Sequence, residues 1–600
     1  ALLGRTTGYC NNRNGNFGNS FDKILSESRG EKVYRVSATA AFEWLPLQWF
    51  VNRLIIGNDR TEREVTNSTP FDPDLPFGRS SLGSNTVTRY TTDMLTVDYT
   101  GTIQGQLGGD IGRWTTFGVQ WFSQRNESVG CSGIEYPNDQ VTSCGAAFFV
   151  SGSNNRSEQR EMGGFAQQRL GYREYLFLSG AVRVDDNAAL GKAKGAIWSP
   201  SVNVSAIISE MPFWNLDVVN DFRVRAAWGT ASQSPAPYAA DQTYSSAPVV
   251  IGGATVGGVT PGSPGNPDLG PERSEELEVG LDAGLLDRRV GLTFTYYRRK
   301  IRDLIVSRPV APSTGFNQTM QVNLGLMEST GTELILNATP IRRDNLVWDV
   351  TLTHATYDPI ITDLGLEAPI FFPEGADGGS RAAGSQVFQT GFAPGAYVSN
   401  MVARATRDEQ GRITDVELMP GNLGDGTTRR VVGSPWPDAE QALTTTLTLF
   451  GRIQLTALFD RTAGADLLNV TRAFRTPFQD GSAGTDAYGR EYAFRQVEST
   501  PEEQAMIERQ YYGHFLESGD YVKLREMNVR YALPESLVAR FGATSASITL
   551  AGRNLKTWSD FSILDPEMDV QGSRDNFIRN NFAGSFPPLR TFWLGVNLSF

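Results

Sequence analysis

His354, within TLTHATYD, and His514, within YYGHFLE, are the only two histidines of the 600-residue chain. Either could act as a general base if a nucleophile and an orienting acid stood beside it. Neither lies next to a nucleophile-elbow sequence, so hydrolytic chemistry is not expected and the chain is read as a non-enzyme. The three cysteines, Cys10, Cys131 and Cys144, have no histidine at zinc-ligand spacing. Cys131 and Cys144 lie instead in one polar stretch, VGCSGIEYPNDQVTSCG, where a disulfide would close a surface loop in an oxidising compartment. They are the disulfide candidates, and Cys10 is left to pair outside this chain or to stay a thiol. Asp565, Glu567 and Asp569 in LDPEMDV offer oxygen ligands of the kind Ca²⁺ needs. EF-hand spacing is absent, so a solvated loop is the favoured reading, and no metal or cofactor is expected. GGATVGG around Gly253 and GDGTTRR around Asp425 open no helix and are not read as phosphate cradles.

A second kind of chemistry is open to aromatic faces in polar loops, which can hold sugars or peptides beside polar groups. The candidates are Tyr238, Tyr244, Phe371, Phe372, Trp436, Tyr488 and Tyr492. Each is equally able to pack its own loop.

The elements that must carry these loops are strands. In ELEVGLDAGLL, Leu277, Val279, Leu281, Ala283 and Leu285 alternate with Glu276, Glu278, Gly280 and Asp282. In TTTLTLFGRIQLTALFD the same period of two runs through Leu447 and Leu449, turns at Gly451, and resumes at Ile453, Leu455, Ala457 and Phe459. YLFLSGAVRVDD sets Leu176, Leu178, Val182 and Val184 against Ser179, Arg183 and Asp185. The chain ends on TFWLGVNLSF, in which Phe592, Leu594, Val596, Leu598 and Phe600 share a face. About 17 such segments can be counted, the dyad pattern of a membrane barrel. A soluble sandwich array or propeller also alternates, but it favours short, even connections. Here short turns and long polar loops alternate. Counted backward from Phe600, every long loop falls on one side and every short turn on the other, with no phase slip.

The net charge of −12 argues against nucleic acid as a partner. No stretch approaches the roughly 18 apolar residues of a membrane helix, whereas a barrel strand needs only about 10 alternating ones. The fold is therefore read as all-β, a transmembrane antiparallel β-barrel lying in outer-membrane lipid. A C-terminus in the periplasm puts the long loops outside. Residues 1–31 are then an extracellular loop and 32–600 the barrel, with long loops at about 59–89, 126–159, 231–272, 304–329, 358–440, 464–517 and 556–588. Glu276, Glu278, Asp282, Arg183 and Asp185 are expected to face the lumen. Trp44, Trp49 and Trp348, near short turns, are candidates for an interfacial girdle.

Ordered blocks carry a family resemblance. NPDLGPERSEELEVGLDAGLLDRRVGLTFTYYRRKIRDLI from Asn266, VNLGLMESTGTELIL from Val322, SGDYVKLREMNVRYALP, LAGRNLKTWSDFSILDPEMD and FPPLRTFWLGVNLSF resemble SusC/RagA-type TonB-dependent outer-membrane transporters. So do LFLSGAVRVDDN and RVRAAWGTASQSPAP; together the blocks span nearly the whole chain from about Lys32. The resemblance implies TonB-dependent import of an oligosaccharide or peptide across a Gram-negative outer membrane. It implies a SusD-like surface lipoprotein as partner, energy from the TonB complex, and a terminal Phe600 read by the barrel-assembly machinery. A passive porin and a surface-adhesion barrel are the alternatives. The family's plug and TonB-engaging segment are not visible in this sequence. A barrel of about 22 strands would then leave about five outside this chain. An open seam is expected, with Tyr34 not paired to Leu594.

Overall fold

The structure is a computed structural model that describes residues 27–71, 82–191, 195–316, 319–366, 368–372, 386–469, 500–509, 511–562, 565–567 and 587–600. The chain begins with eight antiparallel strands: β1 (Ser28–Leu47), β2 (Phe50–Thr69), β3 (Ser84–Gln106), β4 (Ile111–Ile134), β5 (Phe149–Tyr172), β6 (Leu176–Asn187), β7 (Ile197–Ile207) and β8 (Val219–Gln233). A separate hairpin follows, β9 (Tyr244–Ile251) and β10 (Ala254–Pro261). The wall resumes with β11 (Glu272–Leu285), β12 (Val290–Pro309), β13 (Thr319–Arg343), β14 (Leu346–Thr356) and β15 (Asp358–Asp363). Short strands β16 (Ile370–Phe372), β17 (Gln386–Phe388), β18 (Ala396–Ser399), β19 (Val402–Arg407), β20 (Ile413–Leu418) and β21 (Arg430–Gly433) lie in one long connection. Wall strands β22 (Ala439–Leu449) and β23 (Ile453–Ala463) come next. After them stand β24 (Asp466–Leu468), helix α1 (Pro501–Glu508), β25 (Leu516–Ser518), β26 (Tyr521–Ala532), helix α2 (Glu535–Val538), β27 (Ser545–Ser559) and β28 (Thr591–Ser599).

The wall is one 18-stranded sheet. Both β14 and β15 pair with β13 and are parted only at Tyr357, so they make one crossing and the sheet makes 18 − 1 = 17. Neighbours in sequence are neighbours in space, the up-and-down order that hairpin connections produce. Among the described residues β1 pairs only with β2, and β28 only with β27. Tyr34 lies opposite Glu62 and Leu594 opposite Leu550, so the wall is open at the expected seam.

Directly opposed residues in an antiparallel pair share a face, which lets one face be followed around the wall. Leu594 opposes Leu550, then Val529, Leu455, Leu447 and Trp348 in turn. Farther on, Leu352 opposes Leu336, then Leu292, Ala283 and Phe222. Near the first edge Trp121 opposes Val97, then Ile56 and Ala40. The result is an apolar face over every strand. Residues of this face that no neighbour covers, such as Leu550, Val279 and Leu178, are exposed although large and apolar. A contiguous exposed apolar surface of this extent requires lipid against it.

The register slips at several points, within β26 and β27 and nearer the ends of β13 and β15. Leu458 opposes Glu526 and Phe459 opposes Leu524, so Arg525 is an extra residue against β23 and shifts the phase of β26; against β27 the extra residue lies between Arg553 and Lys556. Sequence parity implies an unbroken alternation; a bulge residue adds one unpaired position and re-aims the side chains beyond it.

The strands also run farther than sequence patterning implies. β3, β4 and β5 have 23, 24 and 24 residues, and they enter the stretches 59–89 and 126–159 that are expected from sequence to be loop. Beyond the apolar rows these strands carry opposite charges and threonines, which pair well across a ladder in water but lack the apolar period that marks a membrane crossing. The connection between β6 and β7 is a further link on the long-loop side.

Candidate functional site

The face opposite the apolar one is a lattice of charges and amides. Arg183 pairs with Asp185 at 2.7 Å and also bonds Gln120. Arg225 reaches Asp282 at 3.7 Å and donates to Thr295 Oγ1 at 2.7 Å. Arg299 meets Glu276 at 3.6 Å, and Arg553 meets Glu526 at 2.9 Å. Glu278 opposes Tyr297 on the same face. Each residue expected on the lumen side from sequence therefore stands on the polar face. Half-exposed pairs of this kind add little stability each, but they keep this face polar from strand to strand. Trp44 and Trp348 lie on the apolar face at the short-turn end, and Trp49 sits in the turn beside Phe50, a ring-to-ring distance of 6.1 Å.

At the other end, the two longest connections fold into one body. One runs from β15 to β22 and supplies β16, β17, β18 and β21 as a four-stranded sheet, with β19 and β20 as a hairpin. Val387, Ala396, Val398 and Leu423 form its core. A second core joins it to the wall: Leu304, Val306, Val322, Met327, Ile361, Leu364 and Phe388. The other connection, from β23 to β26, sends α1 against β19, burying Ala505 and Met506 on Val402 and Ala405. Glu502 Oε1 accepts from the Ala405 amide at 3.0 Å, and the Arg407 guanidinium donates to Gln504 Oε1 at 2.6 Å. Asp466 Oδ2 accepts from the Ser434 amide at 2.9 Å. Burial pushes the Asp466 carboxyl up, against the pull of that bond.

A charge cluster then ties the β27–β28 connection to the wall. Lys523 Nζ donates to Asp565 at 2.6 Å and also contacts Glu567. Arg525, at the bulge, holds Asp460 at 2.7 Å and Glu567 Oε2 at 2.6 Å. Tyr521 donates to Glu567 at 2.9 Å. Lys523 and Asp565 are both buried. Burial alone would raise the Glu567 carboxyl, but the bonds from Arg525 and Lys523 outweigh it and hold it at about 2. Two of the three acids considered as Ca²⁺ ligands are thus given to protein cations, while Asp569 lies outside the described residues. Nothing in the sequence pointed to this cluster beyond Lys523 and Arg525 standing two apart, because its acids are 42 to 65 residues away.

The aromatic candidates divide. Phe371 lies in the folded body, with the Arg429 guanidinium 4.1 Å over its ring. Trp436 is in the same body and donates through Nε1 to the Pro394 carbonyl at 2.8 Å. Phe372 opposes Gln386 in the β16–β17 pair. Tyr238 is exposed and accepts from the Glu158 amide at 3.3 Å, while Tyr244 is exposed at the base of the β9–β10 hairpin, 6.3 Å from Phe316. Tyr488, Tyr492 and Cys10 lie outside the described residues. Cys131 and Cys144 are joined by a disulfide that closes the tip of the β4–β5 hairpin, with a Cα–Cα distance of 6.1 Å. Phe600 ends the open edge and is exposed.

A family model described as TonB dependent receptor-like, beta-barrel, matches residues 3–555. TonB-dependent receptor P3 of Formosa agariphila is 23% identical over 96% of this chain and 58% of its own length. TonB-dependent receptor SusC of Bacteroides thetaiotaomicron is 27% identical over 43% of this chain and 26% of its own. The structure of the RagAB peptide transporter superposes with a TM-score of 0.80 at 18% identity, covering 96% of this chain and 63% of that one. The chain thus spans only part of the length of the relatives it matches.

Proposed function

This chain belongs to the TonB-dependent receptor β-barrel family, in its SusC/RagA type, and from that membership we propose that it forms most of the wall of an active outer-membrane importer. The observation that carries the reading is the continuous division of 17 crossings into an apolar face and a charged face, with a folded body at one end only. The apolar face lies in outer-membrane lipid and the charged face lines an aqueous lumen. The C-terminus is periplasmic, so the body stands outside the cell. Residues 32–600 are the barrel wall and its loops.

The cargo is an oligosaccharide or a peptide, and the peptide class is the one carried by the RagAB transporter, whose fold this chain shares. The exposed Tyr238 and Tyr244 are the aromatic faces best placed to meet cargo; Tyr488 and Tyr492 stay candidates from sequence alone. Phe371 and Trp436 shape the body around it, and Phe372 stays a candidate from sequence. A SusD-like lipoprotein closes over that body, the TonB complex supplies energy, and Phe600 is read by the assembly machinery. No catalytic role and no cofactor are assigned.

Uptake by cells carrying the full-length protein provides the test. Accumulation of oligosaccharide or peptide that stops when the proton gradient is collapsed supports active import. Uptake that continues without the gradient, with open conductance in planar bilayers, would leave a passive porin. Binding to surfaces with no uptake of either class would leave an adhesin.

A further inference from the structure

The apolar face ends abruptly on the long-loop side of β2–β5. Its last rows run Ile56–Val97–Trp121 and Asn58–Leu95–Ser123. The next row on the same face is Arg60–Asp93–Arg125–Glu158, each residue directly opposite the next. Above it Glu62, Glu127 and Arg156 follow, then Glu64 and Arg89, while Arg160 opposes Ser123 at the border. From Phe50 to Asn58 the strand is about as long as the roughly 9–11 residues that a tilted barrel strand needs to cross the hydrocarbon. The charged rows therefore begin where the hydrocarbon ends.

The charges are layered. Arg60, Arg89, Arg125, Arg156 and Arg160 are 42–64% exposed, while the carboxylates that hold them are 26–42% exposed. Glu62, Glu127 and Glu158 hold one edge of the Arg60, Arg125 and Arg160 guanidinium groups, at 2.7 Å, at a close contact, and at 2.6 Å. Five carboxylates balance the five arginines, and the arginine heads are on the whole the more exposed, each with an edge of N–H groups beyond the one its carboxylate holds. Planar forks held in advance are suited to bidentate phosphate recognition, because their ordering cost is already met.

We infer that this arginine lattice on the outer face of β2–β5 binds the phosphorylated sugar headgroups of the outer-leaflet glycolipid. The site is continuous with the lipid-facing band, which selects a membrane component over a soluble protein. The inference rests on the orientation given above, with the long loops outside the cell.

Orientation is tested separately, by labelling a tag inserted between Cys131 and Cys144 on intact cells. An unlabelled tag would overturn the orientation and, with it, the assignment to the outer leaflet. For the lattice, the full-length protein is purified from outer membranes and exchanged into detergent with bis-phosphorylated lipid A or with the same lipid dephosphorylated. Native mass spectrometry then counts retained lipid. Preferential retention of the phosphorylated form by roughly tenfold or more is expected. R125A/R156A/R160A should abolish the preference, and R125K/R156K/R160K, which keeps the charge without the forks, should weaken it. Substitution of the opposite-face Gln124 and Gln159 by Ala should leave it unchanged. Equal retention of the two lipids by the parent protein overturns the inference, whatever the variants do. So does release of the lipid by inorganic phosphate alone, which would make the lattice a free-anion site. A co-purifying protein that shields the arginines with no lipid retained would also overturn it.

Discussion

Lys523 is the residue on which most depends locally. It is buried against two carboxylates, and replacing it by Met would leave Asp565 and Glu567 short of a cation. A loss of about 3 kcal/mol in the local opening energy of the Asp565–Glu567 segment is expected, read as faster amide exchange there. Glu567 also gives the anchor a pH dependence. Its folded-state value lies below its unfolded one, so its contribution is full above about 4.5 and is lost as pH falls toward about 2. The segment's protection relative to the unfolded chain should be full at pH 5 and fall as pH approaches 2, and E567Q should flatten that profile. A profile unchanged by E567Q would refute the anchor. None of this was legible in the sequence. The acids and cations are distant along the chain, and the bulge at Arg525 leaves no compositional mark.

Strands were the most legible level. Period two marks a crossing because lipid and water impose opposite demands on successive side chains, so segments such as Leu277–Leu285 and Ile453–Phe459 declare themselves. Their ends did not, since above the membrane both faces are wet and the period vanishes, as in Arg60–Thr69. The faces make a direct prediction. Leu447→Arg puts a charge into the apolar face between Trp348 and Leu455, costing about 2–4 kcal/mol in a denaturant titration of the folded barrel. Thr446→Arg, one residue along and opposite Asp349 and Thr456, should cost little. Similar losses for both would contradict the face assignment. At the β4–β5 tip, C131S/C144S should speed amide exchange between residues 135 and 148 while leaving the crossings below unchanged. The pairing was accessible from two cysteines in one polar loop. The roles of Phe371 and Trp436 were not, because an aromatic residue in a loop sequence does not disclose whether a folded body surrounds it.

The molecule as a whole is a wall with two bare edges. β1 and β28 each present a row of backbone donors and acceptors with no neighbour among the described residues, and such edges recruit other strands. The 600-residue chain refolded alone in detergent should therefore self-associate, seen as species larger than monomer by light scattering. A monodisperse monomer would mean that the edges are covered in another way. The family resemblance and the open seam were both readable from ordered blocks and parity. The union of the two longest connections was not, since α1 and β19 meet across about a hundred residues.

That union has a consequence for how such proteins diverge. The connection after β15 and the connection after β23 share a buried seam, with Ala505 and Met506 seated on Val402 and Ala405. Neither can be exchanged for a foreign sequence without stripping the other of its packing. New cargo preferences should then spread between related genes as paired segments inherited together. A chimera carrying one donor segment should fold poorly where a chimera carrying both folds well.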